Sequence, residues 1–545
     1  MNTRIPADIA SASFDVIIVG AGINGAGIAR DAALRGLKVL LLDKGDLSSG
    51  TTSWSTRLIH GGLRYLEHGE LALVRESLRE RERLFRLAPH LVRPLPMLIP
   101  IYERARRGPL TIRAGMVAYD LLSFDKSLKR HRMLSRDEAA TRAPGLNREG
   151  LRGAALYYDA QIAYAERLVL ENALSAREHG ALILTYARVE QFILEGNKVC
   201  GVEFTDILEG GMHKAHASAV INVAGPWVDE MLAGFNARAP RLIGGTKGSH
   251  IIVEPFQGAP ADALYVEASA DGRPFFIIPW NELYLIGTTD LRYQGELNHV
   301  EADRSEIDYL LDETNRIIPQ AQLTRAAVAY TYSGIRPLAY CDDRTEKSLT
   351  RRHFIHDHAP HLEGLLSIVG GKLTTYRNLA EQSVNLLFRK LKRRSVPCTT
   401  RQTPLPGATS EDSADFNTFS ERFIKQSKLP RAVSERLLRV YGTRARLVLR
   451  LAQEDARLAE VFSAGTAAIG AEVLFSFREE MAETLVDCLL RRTMVGLSAS
   501  VGLDADEAAA QIARRYLNWS EERAAHEIAA YRDYVKRFHP RILAD

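Results

Sequence analysis

The chain has 545 residues, of which 46% are hydrophobic and 25% are charged, so a globular protein of two or three domains is expected rather than a disordered one. The net charge of +4 is too small to indicate nucleic-acid binding. Four widely spaced cysteines form no C-x-x-C pair, which predicts neither a disulfide framework nor a metal site and fits a reducing cytoplasm. We expect no signal peptide and no membrane-spanning helix, so any membrane contact would be peripheral or monotopic.

Residues 14–43, FDVIIVGAGINGAGIARDAALRGLKVLLLD, carry a complete dinucleotide-binding pattern. A buried parallel strand is predicted at 16–19, a helix at 23–35 and a second strand at 38–42. In the G-x-G-x-x-G turn, Gly20 permits the tight turn, Gly22 lets the backbone approach a pyrophosphate, and Gly25 lets helix and strand pack closely. The helix N-terminus attracts phosphates, and Asp43 is placed to accept hydrogen bonds from ribose hydroxyls. The pattern predicts a dinucleotide without choosing between NAD and FAD.

Two later segments repeat the strand–glycine–helix order, at 219–227 and 367–376. Such late returns to the nucleotide are typical of flavoproteins and disfavour a contiguous NAD domain. Between them, short strands at 250–253, 275–278 and 283–286 alternate with Gly, Pro and Asn turns, which predicts an antiparallel substrate sheet. Residues 89–100 hold four prolines and are expected to be an irregular connection. Beyond about residue 400 the pattern is helical, most clearly at 471–492 and 520–538.

A possible surface site lies at residues 104–132, where basic clusters flank a predicted amphipathic helix at 110–124. This arrangement is typical of contact with anionic lipid headgroups. An ordinary solvated charge run beside a core helix explains the residues equally well, so both interpretations stay open.

Taken together, several motifs resemble the FAD-dependent, aerobic glycerol-3-phosphate dehydrogenases, which are related to D-amino-acid oxidases. They are GAGINGAGIARDAALRGL at 20–37, STRLIHGGLRYLE at 55–67, NVAGPWV at 222–228, KGSHIIV at 247–253, IGTTD at 286–290, YSGIRPL at 332–338, GGKLTTYR at 370–377 and LLRRT at 489–493. The resemblance runs nearly end to end.

The resemblance implies an α/β FAD-binding domain of the Rossmann-like, glutathione-reductase or D-amino-acid-oxidase type, an antiparallel-sheet substrate domain and an all-helical C-terminal cap domain. The expected segments are 1–90, 151–235 and 346–400 for FAD binding, 91–150 as a substrate- or membrane-facing insertion, 236–345 for the substrate sheet and 401–545 for the helical domain. FAD is expected to be bound non-covalently. The residues expected to contact it are Gly20, Gly22, Ile23, Asn24, Gly25, Asp43, Lys44, Thr52, Ser53, Ser55, His60, Gly61, Gly62, Leu63, Val189, Ala224, Gly225, Trp227, Gly371, Lys372, Leu373 and Thr374.

By motif position, the resemblance also implies a substrate pocket that faces the flavin. Its expected substrate-binding residues are Arg64, Tyr65, Thr288, Arg336 and Lys372, and its expected catalytic residues are His250, Arg336 and Lys372. The residue chemistry agrees, because guanidinium groups match phosphate oxygens in a bidentate fork and a histidine is the usual base for removing an alcohol proton near neutral pH.

The implied reaction oxidises sn-glycerol 3-phosphate to dihydroxyacetone phosphate and passes electrons to a membrane quinone. The implied partners are a phosphorylated polyol, the quinone and an anionic lipid surface at the cytoplasmic face of the cell membrane, with no nucleic acid and a homodimer as an option. Three departures from the family pattern are noted: Asp43 stands where glutamate is common, Arg57 stands where lysine is common, and residues 159–167, DAQIAYAER, lack a frequent pair of aspartates. The last departure leaves other polyol phosphates open, such as erythritol phosphate.

Four alternative functions fit the sequence less well. An oxidase that uses oxygen is the nearest alternative, although such members tend to carry an insertion that is not evident here. A D-amino-acid or sarcosine oxidase fits the basic residues less well than a phosphate substrate does. A non-catalytic flavin protein would be expected to lose the pocket residues, and an NAD enzyme would not repeat the strand–glycine element.

Overall fold

The computed structural model describes residues 4–103, 105–233, 241–341, 352–408 and 415–543. They form an α/β domain, a large sheet domain and a helical C-terminal domain, as the fold-class prediction stated. Within these ranges no helix is both long enough and apolar enough to cross a membrane.

The α/β domain is built on a six-stranded sheet. Its strands, in spatial order, are Phe354–Asp357, Leu365–Val369, Val220–Asn222, Val16–Val19, Val39–Leu42 and Leu182–Leu184. All neighbours pair in parallel except the first two, which are antiparallel. Every residue of the central strand is buried, because helices cover one face and a second sheet covers the other. This double covering explains the unbroken apolar run in the sequence.

The second sheet of this domain has four strands. They are Ser13–Phe14, Met212–Ala217, Lys198–Asp206 and Ala187–Glu195.

The helix predicted after the first strand of the six-stranded sheet is confirmed. It spans Ile23–Leu34 and packs against helices Ala165–Glu178 and Tyr376–Lys390. A side chain at Gly25 would place its β-carbon 1.8 Å from the carbonyl oxygen of Gly20, so helix and strand approach as closely as the glycine prediction requires.

The large sheet is mainly antiparallel, as predicted, and has ten strands. Eight strands follow one pairing order, and two more pair beside it, with strands Thr246–Val253 and Leu151–Ile162. The ten strands are Leu58–Ile59, Val92–Tyr102, Arg132–Ser135, Leu151–Ile162, Thr246–Val253, Ala263–Glu267, Pro274–Trp280, Leu283–Gly287, Leu291–Arg292 and Val328–Arg336. One pair, Ala263–Glu267 with Val92–Tyr102, is parallel. Helix Arg304–Ile317 packs on this sheet.

The prediction of an irregular connection at 89–100 is wrong, because Val92–Tyr102 is an eleven-residue strand. Pro94, Pro96 and Pro100 are spaced by even numbers, so the missing N–H groups all fall on the same side of the strand. The other side keeps a full set of donors. The assignment of residues 151–162 to the FAD segment also differs from the structure, since Leu151–Ile162 pairs along the whole of this strand.

Four further helices lie between residues 64 and 142, and the C-terminal domain contains eight α- or π-helical segments besides short 3₁₀ turns. The first group is Arg64–Glu67, Leu71–Leu87, Pro109–Leu122 and Arg136–Arg142. The second group is Phe416–Gln426, Arg431–Tyr441, Ala445–Glu454, Gly470–Glu479, Leu485–Asp487, Cys488–Arg492, Asp506–Leu517 and Glu521–Val535.

The single helix predicted at 471–492 is wrong. The first helix there ends at Glu479, and Met481 adopts a left-handed conformation with φ of 56°. The carboxylate of Glu480 turns into the protein to accept hydrogen bonds from Arg167 and Arg444. The backbone carbonyls of Glu480 and Met481 accept from Arg492 instead of continuing the helix.

Buried ion pairs connect the elements around the nucleotide loop. Arg57 donates to both carboxylate oxygens of Glu166 at 2.8 Å each, and neither side chain is appreciably exposed. The guanidinium of Arg57 also donates to the carbonyls of Ser53 and Ala163. The pair therefore ties the loop after the second strand to the start of helix Ala165–Glu178.

Replacing Glu166 by Gln should leave the Arg57 guanidinium buried without a counter-charge. The expected loss of unfolding free energy is about 3–5 kcal/mol, measured by urea denaturation of the FAD-loaded protein. The control is Asp125→Asn, which breaks the exposed pair with Arg75 and should cost less than about 1 kcal/mol. Equal losses in the two variants would contradict the role assigned to the buried pair.

Candidate active site

A cavity of about 520 Å³ opens at the carboxyl ends of the parallel strands. Its walls come from the glycine turn at 20–24, the loop at 49–58, the strand start at 187–190, the turn at 223–227 and the segment at 370–374. Ligands of open parallel sheets bind at this edge. All three strand–glycine segments found in the sequence meet here.

The glycine turn forms one end of the cavity. Gly22 is the N-terminal cap of helix Ile23–Leu34 and provides no capping side chain, so the positive end of the helix faces the cavity. The hydroxyl of Thr52 accepts a hydrogen bond from the N–H of Ile23 at 3.2 Å. A β-carbon at Gly20, which has φ of 111°, would lie 2.5 Å from the carbonyl oxygen of Val223. Gly20 therefore lets the turn pack against Val223, whereas a β-carbon at Gly22 would meet only Thr52 Oγ1, at 3.4 Å, so the backbone there is open to a pyrophosphate.

Asp43 lines the same end, and its orientation is set by the backbone. Its two carboxylate oxygens accept hydrogen bonds from the N–H groups of Ala21 at 2.6 Å and Gly45 at 2.8 Å. Burial raises the pKa of Asp43 to about 6, although both backbone bonds act to lower it. At neutral pH the side chain is a carboxylate with lone pairs for ribose hydroxyls.

Four cavity-lining side chains have a buried polar atom without a hydrogen-bond partner within the described part of the chain. These atoms are Asn24 Oδ1, Arg57 Nε, Trp227 Nε1 and His250 Nδ1. Buried polar atoms are normally satisfied, so unsatisfied ones along a cavity wall indicate a missing polar ligand. The open glycine turn, the acceptor at Asp43 and these atoms together fit a long dinucleotide such as FAD.

Most residues expected to contact the cofactor line the cavity. They are Gly20, Gly22, Ile23, Asn24, Asp43, Lys44, Thr52, Ser55, His60, Val189, Ala224, Gly225, Trp227, Gly371, Lys372, Leu373 and Thr374. Lys44 stacks its ammonium over the Trp227 ring at 4.0 Å. Asn24 donates to the carbonyl of Gly370 at 3.2 Å, which joins the first and third glycine segments.

Five of the expected cofactor residues do not line the cavity, and each has another structural reason to be present. Gly25 packs on Gly20, and the hydroxyl of Ser53 donates to the carbonyl of Ser48 at 2.7 Å. The N–H of Gly61 donates to the hydroxyl of Tyr119. Gly62 leaves room for the Tyr65 ring, and Leu63 packs against the core. These residues support the segments that form the cavity walls and do not belong to the cavity surface.

Arg336 lies at the other end of the cavity, and its guanidinium is held in place. It donates to Asp290 Oδ1 at 3.0 Å, to Thr288 Oγ1 at 2.9 Å and to the carbonyl of Thr289 at 3.1 Å. A β-carbon at Gly248 would lie 2.2 Å from this guanidinium, so the glycine is needed for its position. Thr288 itself does not line the cavity but orients the arginine that does.

Lys372 and Tyr65 form a second polar group at this end. The ammonium of Lys372 lies 4.3 Å from the centre of the Tyr65 ring and donates to the hydroxyl of Ser77 at 3.0 Å. Arg64 begins the short helix Arg64–Glu67 and does not line the cavity, so its role in substrate binding stays a prediction. The pairing of residues 64 and 65 in one motif gave no indication of which would face inward.

His250 is buried in the large sheet and lines the cavity, close enough to Arg336 to be affected by its charge. Its Nε2 lies 2.9 Å from the hydroxyl of Thr56, and its ring stacks on Tyr332 at 4.8 Å. Burial lowers the pKa of His250 well below its usual value, and the positive charges of Arg336 and Arg57 lower it further. The imidazole is therefore neutral at physiological pH, and the same burial and positive charges oppose its protonation.

Several cavity residues were missed by the sequence analysis. Thr56 and Trp54 lie in or beside a quoted motif, and their position there was the available signal. Arg188 and Glu190 line the cavity on either side of Val189, but a surface strand offers no pattern that identifies them. Gly334 also lines the cavity. A β-carbon at this position would lie only 2.7 Å from the β-carbon of Trp54.

Two family models match the chain. The first, described as FAD dependent oxidoreductase, covers residues 15–377, and the second, described as the C-terminal domain of alpha-glycerophosphate oxidase, covers residues 398–524. Among relatives, a glycerol-3-phosphate dehydrogenase of Synechocystis sp. is 46% identical over 97% of this chain and 98% of its own length. An aerobic glycerol-3-phosphate dehydrogenase of Staphylococcus haemolyticus is 34% identical over 90% and 88%.

A solved structure agrees with these matches. The glycerol-3-phosphate dehydrogenase of Bacillus halodurans, complexed with FAD, superposes with a TM-score of 0.79 at 29% identity, covering 99% of this chain and 97% of that one. Fold and cavity thus define a flavin-dependent oxidoreductase whose cofactor is FAD. Within that class, the chain belongs to the FAD-dependent glycerol-3-phosphate dehydrogenase family.

The raised pKa of Asp43 makes FAD binding pH-dependent. The ionised carboxylate is the better acceptor for ribose hydroxyls, so affinity should be highest near pH 7 and above, fall to about half near pH 6, and then fall by up to about tenfold per unit. Titration of the FAD-depleted full chain with FAD, followed by flavin fluorescence near pH 7.5 and near pH 5, measures the effect. Asp43→Asn should bind FAD weakly with no such pH dependence. Equal affinity of the unsubstituted chain at both pH values would contradict this assignment.

Proposed function

We propose that this chain oxidises sn-glycerol 3-phosphate to dihydroxyacetone phosphate and passes the electrons from FAD to a membrane quinone. The observation that carries the proposal is one cavity with a nucleotide cradle at one end and a neutral buried imidazole beside Arg336 and Lys372 at the other. The names of relatives that match over almost the full chain support the choice of substrate.

The two cations suit a phosphorylated substrate. Arg336 is already oriented by Asp290 and Thr288, so little side-chain entropy is lost when it binds an anion. A guanidinium offers paired donors to phosphate oxygens, whereas the ammonium of Lys372 acts as a point charge. The phosphate would anchor the polyol and hold its secondary alcohol against the flavin.

His250 is proposed to take the alcohol proton. FAD, when bound, supplies the acceptor for the two electrons of the C–H bond at C2 of the substrate. The imidazole is neutral before reaction and becomes positively charged as it accepts the hydroxyl proton, and Thr56 holds its Nε2 side. Lys372 would stabilise negative charge that develops on the substrate oxygen.

The electron acceptor is proposed to lie in a membrane, because one helix has an exposed apolar face. On helix Pro109–Leu122 the residues Ile112, Met116 and Tyr119 are buried. Leu110, Val117, Leu121 and the following Phe124 lie on the opposite side and are exposed, with Leu110 81%, Leu121 70% and Phe124 78% accessible. We call these four residues the apolar face. Four large apolar side chains grouped on one helix are typical of an interfacial contact.

The charges around the apolar face support a lipid surface as its partner. Arg106, Arg113, Lys129 and Arg130 are exposed near the helix and its ends. Arg107 lies in the same basic stretch but pairs with Glu67 and Glu267. Arg104 lies outside the described residues. Cations beside an apolar stripe favour anionic headgroups, and the cytoplasmic face of the cell membrane is the proposed location.

Anaerobic titration of the FAD-loaded protein with sn-glycerol 3-phosphate should bleach the flavin absorbance. The colour should return rapidly with a quinone and slowly with oxygen. In His250→Asn the bound flavin should bleach about 10²–10⁴ times more slowly, because no base accepts the proton. Rapid recovery with oxygen would favour an oxidase. Bleaching by erythritol phosphate but not by glycerol phosphate would keep the chemistry and change the substrate.

Replacing Leu121 and Phe124 by Glu should move the protein from the membrane fraction to the supernatant, because charged side chains cannot enter the acyl boundary. Binding to vesicles with and without anionic lipid, measured by co-sedimentation, gives the same comparison in a purified system. The matched control is Met212→Glu, which should leave binding unchanged. Met212 is 65% exposed on strand Met212–Ala217 of the four-stranded sheet, not on the helix that carries the apolar face. Retention of the double variant on vesicles would rule out the apolar face as the anchor.

A further inference from the structure

The turn that holds Asp43 is continuous with a buried contact to the C-terminal domain. Asp43 and Asp46 belong to one four-residue turn, in which the N–H of Gly45 binds the Asp43 carboxylate. The carbonyls of Asp43 and Gly45 accept hydrogen bonds from the N–H groups of Ala187 at 2.7 Å and Tyr186 at 3.0 Å. Two backbone hydrogen bonds therefore connect the turn to the next cavity wall, at residues 187–190.

The side chain of Asp46 points away from the cavity into the helical domain. It accepts hydrogen bonds from Arg491 Nε at 2.6 Å and from Arg492 Nη1 and Nη2 at 2.8 and 2.7 Å. All three side chains are buried. Burial by itself raises the pKa of Asp46, but the two guanidinium groups outweigh it and hold the pKa below its ordinary value. The contact is thus a charge-assisted clamp.

A second contact closes the network. The hydroxyl of Tyr186 donates to Asp487 Oδ1 at 2.7 Å, and Arg491 Nη2 donates to the same oxygen at 2.7 Å. Asp487 and both arginines belong to the consecutive segments Leu485–Asp487 and Cys488–Arg492. One helical turn of the C-terminal domain therefore holds both the Asp43 turn and the residue that precedes the cavity wall.

We propose that the helical domain positions the adenosine end of the FAD site, with Asp46, Tyr186, Arg491 and Arg492 as positioning residues. None of the four touches the nucleotide cavity, so they act through the turn that carries Asp43. A carboxylate aimed by two backbone bonds loses its geometry if the turn shifts by a fraction of an ångström. Formation of the Asp46 clamp and binding of FAD then stabilise each other to the same extent, because coupling is reciprocal. The inference depends on FAD as cofactor and is independent of the substrate.

The chain contains a matched control for this clamp. Arg167 forms a buried bidentate pair with Glu480 across the same domain interface, at 2.5 and 2.8 Å. In Arg492→Gln the Asp46 carboxylate keeps Arg491, and in Arg167→Gln the Glu480 carboxylate keeps Arg444. Each variant removes one of two arginines from a buried carboxylate. Only the first carboxylate belongs to the Asp43 turn.

The experiment measures the FAD dissociation constant of the full chain by fluorescence, together with the thermal midpoint of the FAD-depleted protein. Arg492→Gln should weaken FAD binding by about 5- to 150-fold, whereas Arg167→Gln should lower the thermal midpoint and leave FAD affinity unchanged. Loss of stability without loss of FAD affinity in Arg492→Gln would overturn the proposal, as would equal weakening by both variants.

Tyr186→Phe decides the question if Arg492→Gln does not fold. It removes only the hydroxyl that reaches Asp487 and leaves the backbone bond to Gly45 in place. A several-fold weaker FAD affinity at an unchanged thermal midpoint supports positioning by the helical domain. Unchanged FAD affinity overturns it.

Discussion

Helix Ile23–Leu34 lies against the strand before it at a distance that leaves no room for a side chain at Gly25. This approach brings the positive end of the helix to the carboxyl edge of the parallel sheet, where phosphates can meet unpaired N–H groups. The same edge receives Asp43 from the next strand and Gly371 from a strand more than 300 residues later. The cofactor site therefore depends on one close backbone contact.

Three buried ion pairs connect segments that are distant in the chain. Arg57 with Glu166, Arg167 with Glu480 and Asp46 with Arg492 are all withdrawn from solvent and share two hydrogen bonds each. Pairs of this kind add little net stability compared with apolar packing, but they are costly to separate because a lone buried charge remains. They allow only one arrangement of loop, helix and cap. That specificity suits a cavity whose walls come from several distant segments.

The opposite end of the cavity uses burial in another way. The sheet hides His250 from water, and the nearby arginines add positive charge, so the imidazole stays neutral. Arg336 keeps its charge because a guanidinium does not lose its proton in proteins, and its ion pair with Asp290 holds it in place. A neutral base and fixed cations thus coexist within one small space. Their separate roles follow from local partners rather than from residue type alone.

The sequence by itself determined the elements whose evidence is local. Periodicity and glycine spacing were sufficient for the first strand, helix Ile23–Leu34 and the position of Asp43 at the cavity, and the motifs identified His250, Arg336 and Lys372, which also line it. Only the tertiary structure decided which motif residues face the cavity: Tyr65 does and Arg64 does not. It also placed Val92–Tyr102 within a sheet despite its prolines and ended a helix at Glu479, because strand pairing and the inward carboxylate of Glu480 depend on partners distant in the chain. Contacts of that range leave no periodic trace in a single sequence.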